Sequence, residues 1–168
     1  MSTAEHREQA KGQRAACAVL TVSDTRTTET DQGGRIILDA LQAAGHRVNA
    51  YAIVKDEPEQ IAAQLAVWLQ QPGLDAVFLT GGTGIASRDT TIEVVRRLFD
   101  KELEGFGELF RMLSWEEVGP AAMLSRAAAG LAAEVLIFAM PGSTNAVKLA
   151  MDKLIVPELP HLIWERKR

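Results

Sequence analysis

The residues of this chain that can do chemistry are spread over several short polar or glycine-rich stretches. The densest is Thr80-Gly81-Gly82-Thr83-Gly84, followed by Arg88-Asp89. Three glycines in four residues let backbone N–H groups approach a ligand with no Cβ in the way. A glycine loop between a strand and a helix is a common seat for a phosphate or a similar anion. Arg88 would add a charge-assisted contact, and Asp89 a hard oxygen of the kind that holds Mg2+. The stretch is not a Walker loop, because no Gly-Lys-Ser/Thr follows, and it lacks the dinucleotide fingerprint Gly-x-Gly-x-x-Gly. Taken alone, such a loop is equally well an ordinary turn. A second glycine loop, Pro141-Gly142-Ser143-Thr144-Asn145, also leads into a helical pattern, with Ser143 or Thr144 placed to cap it. Ser23 and Asp24 open a polar stretch that runs to Asp31. Asp56 has two compatible readings: N-cap of the next helix with Glu59 at N3, or a carboxylate facing a cleft. Ser125 has no Gly-x-Ser-x-Gly elbow around it and so is not a triad nucleophile.

Alternating strands and helices must position these residues. Ala15–Val22 and Ala76–Leu79 are apolar runs that read as buried strands, and Val48–Val54 and Val135–Met140 read as two further strands. Between them, Ile37, Ala40, Leu41 and Ala44 give residues 33–44 one apolar helical face, and Gly45 stops the helix. Ile61, Leu65, Trp68 and Leu69 do the same for the helix after Pro58, and Val147, Ala150, Met151 and Leu154 for the last helix. Thr90 and Glu93 have capping-box spacing for a helix over 91–99, and Ser114 and Glu117 have it for a further short helix. Phe106, Leu109, Phe110 and Leu113 sit at helical spacing as a core-facing stripe, while Gly105 and Gly107 suggest a helix start or a close backbone approach. The small residues 127–133 suit close packing, here read as packing between subunits. Strand–helix alternation argues for a mostly parallel sheet, which brings the loops after the strands to one edge. The expected cleft holds two glycine loops, the Asp56 and Asp89 carboxylates and Arg88, a set suited to a phosphate-bearing ligand with Mg2+.

The 168 residues favour one domain over 15–168 behind a mobile polar tail, 1–14. A net charge of −4 with no basic run argues against nucleic-acid binding. One cysteine, Cys17, excludes an intramolecular disulfide framework, and His6, His46 and His161 are too scattered to show a metal-ligand pattern. No stretch is apolar enough to span a membrane and none at the N-terminus reads as a signal region, so the expected location is cytoplasmic.

Seven motifs then occur in order: Val22-Ser23-Asp24-Thr25-Arg26, Thr80-Gly81-Gly82-Thr83-Gly84, Arg88-Asp89, Gly105-Phe106-Gly107-Glu108, Leu124-Ser125-Arg126, Ala129-Gly130 and Pro141-Gly142-Ser143. In these the sequence closely resembles the MoaB/MogA family of molybdenum cofactor biosynthesis, from about Ala18 to Leu154, and the first and fourth motifs look more like the MoaB branch. The resemblance implies a three-layer α/β/α sandwich with a mostly parallel central sheet, a homotrimer or hexamer, and contacts with other proteins of the pathway. It implies molybdopterin as substrate, ATP as co-substrate and Mg2+, with AMP transferred to the molybdopterin phosphate and pyrophosphate released. Asp56 and Asp89 match the family's functional aspartates, both candidate Mg2+ ligands, and Ser125 its functional serine. Gly81, Gly82, Thr83 and Gly84 match the pterin and phosphate loop, and Pro141, Gly142 and Ser143 the second loop. Ser23, Asp24, Thr80 and Arg88 complete the candidate substrate contacts. Ile92 stands where the family commonly has proline, a change that a first helical turn accepts. The alternative function is a non-catalytic molybdopterin-binding or carrier protein of the same pathway. An unrelated oxidoreductase is disfavoured by the missing dinucleotide fingerprint.

Overall fold

The computed structural model describes residues 2–168. Its strands are β1 (Ala16–Val22), β2 (Arg47–Val54), β3 (Ala76–Thr80), β4 (Lys101–Glu102), β5 (Ala128–Ala132) and β6 (Val135–Met140). They form one sheet in the order β2-β1-β3-β6-β5-β4. The pairs β1–β2, β1–β3 and β3–β6 are parallel, and β5 pairs antiparallel with β6 and β4. The helices are α1 (Thr3–Ala10), α2 (Gln32–Ala43), α3 (Pro58–Leu69), α4 (Thr91–Leu98), α5 (Glu104–Val118), α6 (Thr144–Ala150) and α7 (Val156–Lys167).

Side-chain alternation along β1 divides the core into two layers. Cys17 and Val19 join Ile37, Leu41, Phe110, Val147, Leu159 and Ile163 on the face covered by α2, α5, α6 and α7. Ala18, Leu20 and Val22 join Ile61, Leu65, Ile92 and Val95 on the face covered by α3 and α4. Both faces of β1, β3 and β6 are covered, which is why these three strands read as continuous apolar runs, whereas β2 at the sheet edge is half-buried. Burial pushes the Cys17 thiol up to about 12, so it stays a core residue without thiolate chemistry.

Several local expectations are corrected. Residues 3–10 of the supposed tail form α1, capped by Ser2, whose hydroxyl accepts from the Glu5 N–H while the Glu5 carboxylate accepts from Ser2 N. The helix docks on α7 through Arg7 and Glu158, 2.8 Å apart. Met1 lies outside the described residues. The small-residue run 127–133 is mostly interior: Ala128, Ala129 and Ala132 are buried within β5, and Ala133 in the turn after it is exposed. Ser114 does not begin a helix; it is buried inside α5. Gly107 is a close approach, as a Cβ there would stand 2.9 Å from the Ala127 carbonyl oxygen. Gly45 does end α2, at φ +84°.

At the other end of the sheet, Arg166 of α7 closes the molecule. Its guanidinium donates to the Asp75 carbonyl (3.0 Å), the Asp75 carboxylate (2.5 Å) and the Glu134 carbonyl (2.6 Å). The second Asp75 oxygen accepts from Ala16 N, so this nearly buried pair has its hydrogen bonds filled on both sides.

Candidate active site

Parallel pairing places the C-terminal ends of β1, β2, β3 and β6 at one edge, and the predicted loops meet there. The two glycine loops touch. Gly81 N donates to Met140 O (3.2 Å), and Thr80 Oγ1 donates to Pro141 O (2.9 Å). A Cβ on Gly142 would lie 3.3 Å from Gly81 Cα. Gly81 has φ +96°, and a Cβ there would overlap the Val22 carbonyl oxygen. Gly82 has φ +66°, and its missing Cβ would overlap Thr91 Oγ1 and stand 2.8 Å from Asp56 Oδ1. Glycine is therefore required at 81 and 82 for conformation and for space.

Where the loops meet there is a cavity of about 100 Å³, lined by Ser23, Arg26, Asp31, Gly33, Gly81, Gly142 and Thr144 among others. Ser23 Oγ accepts from Thr25 N (3.2 Å) and Arg26 N (3.1 Å), a local turn that sets where Arg26 leaves the backbone. Ser143 caps α6, accepting from Ala146 N (3.2 Å), as its position predicts. Thr80 and Thr83 are buried beneath the loop.

On the other side of Gly82 lies an acidic rim. Arg88 is turned toward it: its guanidinium meets both Asp24 oxygens (2.8 and 3.0 Å) and Glu57 Oε1 (3.4 Å). Arg88 is thus held by carboxylates, and the basic group that lines the cavity is Arg26. Asp24 Oδ1 also accepts from Asp56 N (3.1 Å). That bond and the Arg88 guanidinium keep the Asp24 carboxyl below its ordinary range. Asp56 goes the other way: burial first, then the Asp24 and Asp89 charges, push its carboxyl up. Asp56 does not cap α3. Glu57 occupies the cap position with no side-chain capping bond, and Pro58 opens the first turn, where its missing N–H costs nothing. Asp89 uses Oδ2 to accept from Ala86 N (3.0 Å), closing the loop on itself, and Oδ1 has no hydrogen-bond partner among the described residues.

The Thr90–Glu93 capping box does not form, because both neighbours of the loop are committed elsewhere. Thr91 Oγ1 donates to Gly81 O (2.9 Å), and Thr91 N donates to Gly82 O (3.0 Å). Glu93 pairs with Arg126, whose other nitrogen donates to Gly84 O (2.9 Å). Arg126 thereby ties the segment that carries the half-buried Ser125 to the glycine loop. Thr91, Arg126 and Arg26 are the residues that pattern reading missed; only the motif adjacency of Arg26 to Ser23 and of Arg126 to Ser125 carried a signal.

The oxygen-only rim suits a hard cation such as Mg2+. Among the described residues, no three side-chain donors of the rim lie within 4.8 Å of one another. An ion here would use one or two carboxylates, with ligand phosphates and water completing its shell. The raised Asp56 carboxyl has a stability consequence. A folded-state value above the unfolded one favours the protonated form, so its contribution is fully present below the ordinary carboxylate range and is lost as pH rises through the raised value. At neutral pH the Asp56 charge works against the fold. Asp56→Asn should melt higher than the parent at pH 7. The difference should vanish near pH 3. A variant that melts lower at pH 7 would show that the charge is already compensated.

The family model described as "Probable molybdopterin binding domain" matches residues 18–161. The molybdenum cofactor biosynthesis protein B of Bacillus subtilis (strain 168) is 50% identical over 169 aligned positions, covering 100% of this chain and 99% of that protein. The chain belongs to the molybdenum cofactor biosynthesis protein B family. A crystal structure of a molybdenum cofactor biosynthesis protein B superposes with TM-score 0.90 at 49% identity, covering 93% of this chain and 98% of that one. The tungsten cofactor synthesizing protein MoaB from Pyrococcus furiosus gives TM-score 0.84 at 38% identity, covering 93% and 99%. Membership bears out the MoaB-like reading and the expected α/β architecture, with a six-stranded, mostly parallel sheet flanked by helices on both faces. The chain therefore carries a molybdopterin-binding domain of molybdenum cofactor biosynthesis. No helix among the described residues is long and apolar enough to cross a membrane.

Proposed function

We propose that this chain transfers AMP from ATP to the terminal phosphate of molybdopterin, releasing pyrophosphate. The observation that carries the reading is the contact of two glycine loops directly beside the Asp24–Asp56–Asp89 rim. One half of the cleft is built for a phosphate and the other for a polyphosphate with its cation. The molybdopterin phosphate oxygen attacks the α-phosphorus, the bond to the bridging β-oxygen breaks, and pyrophosphate leaves. No side-chain nucleophile is needed, because the substrate supplies the oxygen, and the protein's task is positioning and charge neutralisation. The N–H groups of Gly82–Gly84 and of the Gly142–Ser143 loop, together with Arg26, hold the acceptor phosphate, while the Gly81 N–H stays on the Met140 carbonyl. Asp56 and Asp89 hold the cation, while Asp24 fixes Arg88 and the Asp56 backbone. Ser125, on the segment tied in by Arg126, orients the substrate. Mg2+, when bound, neutralises the triphosphate and orients its α-phosphate.

The deciding experiment incubates purified protein with molybdopterin, ATP and Mg2+ and measures adenylylated pterin and pyrophosphate. Formation of both supports the transferase. Tight pterin binding without product leaves the carrier reading, which uses the same loops. Failure to bind the pterin removes both.

The working unit is proposed to be a homotrimer or hexamer. The described surface leaves Leu109, Met112, Trp115 and Val118 of α5 and Met123 and Leu124 of the following turn 45–82% exposed, a run of apolar side chains that a second copy would cover. Light scattering on the same preparation should give a multiple of 18.3 kDa, and a stable 18.3 kDa particle at micromolar concentration would sink the oligomer.

A further inference from the structure

Away from the cleft, the described residues hold one group of three side chains whose donor atoms all lie within 4.8 Å of one another: His6, His161 and Glu165. His161 and Glu165 are i and i+4 on α7 and so share a side of the helix. His6 comes from α1. The helix carrying the pair ends at Asp75, before β3, at the edge of the sheet opposite the glycine loops.

The hydrogen bonding defines which atoms are available. His161 Nδ1 lies 2.5 Å from Glu158 Oε1, so Nδ1 donates to that carboxylate and, in the neutral ring, Nε2 is the nitrogen with the lone pair. That Nε2 is buried and has no hydrogen-bond partner among the described residues, and it faces Glu165 Oε1 at 3.9 Å. A buried, unused nitrogen is costly and calls for an explanation. The same Glu165 oxygen lies 2.8 Å from His6 Nδ1. Glu158, which orients His161, is itself pinned by Arg7 through its other oxygen. A carboxylate behind the ring of a histidine whose far nitrogen points at a second histidine and a carboxylate is the donor arrangement of a metal centre with its supporting shell. The donor separations of 2.8 and 3.9 Å bracket about 3.3 Å, the edge of a tetrahedron with the ~2.0–2.1 Å bonds of Zn2+.

We propose that His6 Nδ1, His161 Nε2 and Glu165 form a divalent transition-metal site, best matched by Zn2+, that ties α1 to α7. Two imidazoles disfavour Mg2+ and Ca2+, which take oxygen ligands. Water fills the fourth position. Arg168 Nη1 now donates to His6 Nε2 at 3.4 Å. Taking up the ion at Nδ1 moves the His6 proton to Nε2, and the exposed Arg168 side chain swings aside.

The test titrates tag-free, chelator-treated full-length protein with ZnCl2 by calorimetry and with Co2+ by visible absorption. The expected result is one ion per chain and a Co2+ spectrum of four- or five-coordination. Affinity should fall more than 100-fold in His161→Gln and in Glu165→Gln, and about 10–100-fold in Glu158→Gln. Metal-free melting curves check that each variant is folded. His6→Gln, on the peripheral α1, provides the same test should an α7 variant misfold. Asp89→Asn should bind the ion as the parent does. Absence of uptake, uptake unchanged in both His6→Gln and His161→Gln, or uptake lost only in Asp89→Asn would overturn the site.

Discussion

Asp89→Asn is expected to slow single-turnover adenylylation of molybdopterin by about 10²-fold or more while leaving pterin affinity intact. The drop is that of removing one preorganised electrostatic group aimed at the reacting phosphate, about 2.7–4 kcal/mol. The geometry makes this a clean change. Asp89 Oδ2 accepts from Ala86 N, and an asparagine carbonyl accepts the same bond, so the loop keeps its shape. What goes is the charge, and with it the preference of a hard cation for this oxygen. The Asp89 charge is also one of the influences raising the Asp56 carboxyl, so its loss relieves Asp56. The variant should need more Mg2+ to reach its own maximal rate. The measurement is adenylylated product across a Mg2+ titration, with pterin affinity determined on the same preparation. Normal turnover would show that Asp89 holds no cation. Joint loss of affinity and rate would place Asp89 against the pterin instead.

Gly81→Ala should cost stability as well as binding. At φ +96° an alanine is strained, and its Cβ would stand 2.2 Å from the Val22 carbonyl oxygen, a backbone atom that cannot rotate away. Strain of this kind costs about 1–3 kcal/mol, and parting β1 from β3 adds to it, so a loss of about 3 kcal/mol or more is expected in urea unfolding. Gly73→Ala is the matched comparison. Gly73 has φ +80°, and a Cβ there would meet nothing within 4 Å, so it reports the conformational cost alone. The excess at Gly81 is the cost of the overlap. Equal losses at the two positions would mean that the loop can yield, and the case for a rigid phosphate seat would fall with it.

The parts of the fold legible in the sequence are those where burial on both faces wrote itself into composition. β1, β3 and β6 are unbroken apolar runs, and the α2 stripe ends at a glycine in the left-handed region. The loops after these strands were legible too, because parallel pairing fixes the edge at which they emerge. β5 was hidden because Ala-Ala-Gly-Leu-Ala has little β preference and owes its place to its neighbours. Its hairpin to β6 turns on Ala133 and Glu134, both at positive φ, where a reader expects Asn-Gly. α7 was hidden because Pro157 and Pro160 interrupt any local helical pattern. A π turn over Met151–Ile155 resets the hydrogen bonding so that α7 continues through both. In the site, spacing alone placed Asp56 and Thr90 as caps. Thr90 does take the N-cap position of α4 but makes no side-chain cap bond, and Glu57 replaces Asp56 at the cap of α3, because Asp24 and Arg126 draw the surrounding groups into long-range contacts that no local pattern shows.

The contact between Gly81 and Gly142 has a consequence for how the chain becomes native. The two glycines meet only after Ala76 has found Leu136 across a long crossover, whereas β5 and β6 need only close a two-residue turn. Non-local parallel pairing is the slower event. The pocket between the two loops therefore has no counterpart in a partly assembled sheet, and a ligand that fits it recognises the finished fold alone. Such a ligand adds its full mass-action term, RT ln(1 + [L]/Kd), to the stability of the protein, which makes thermal stabilisation a direct readout of occupancy for this pocket.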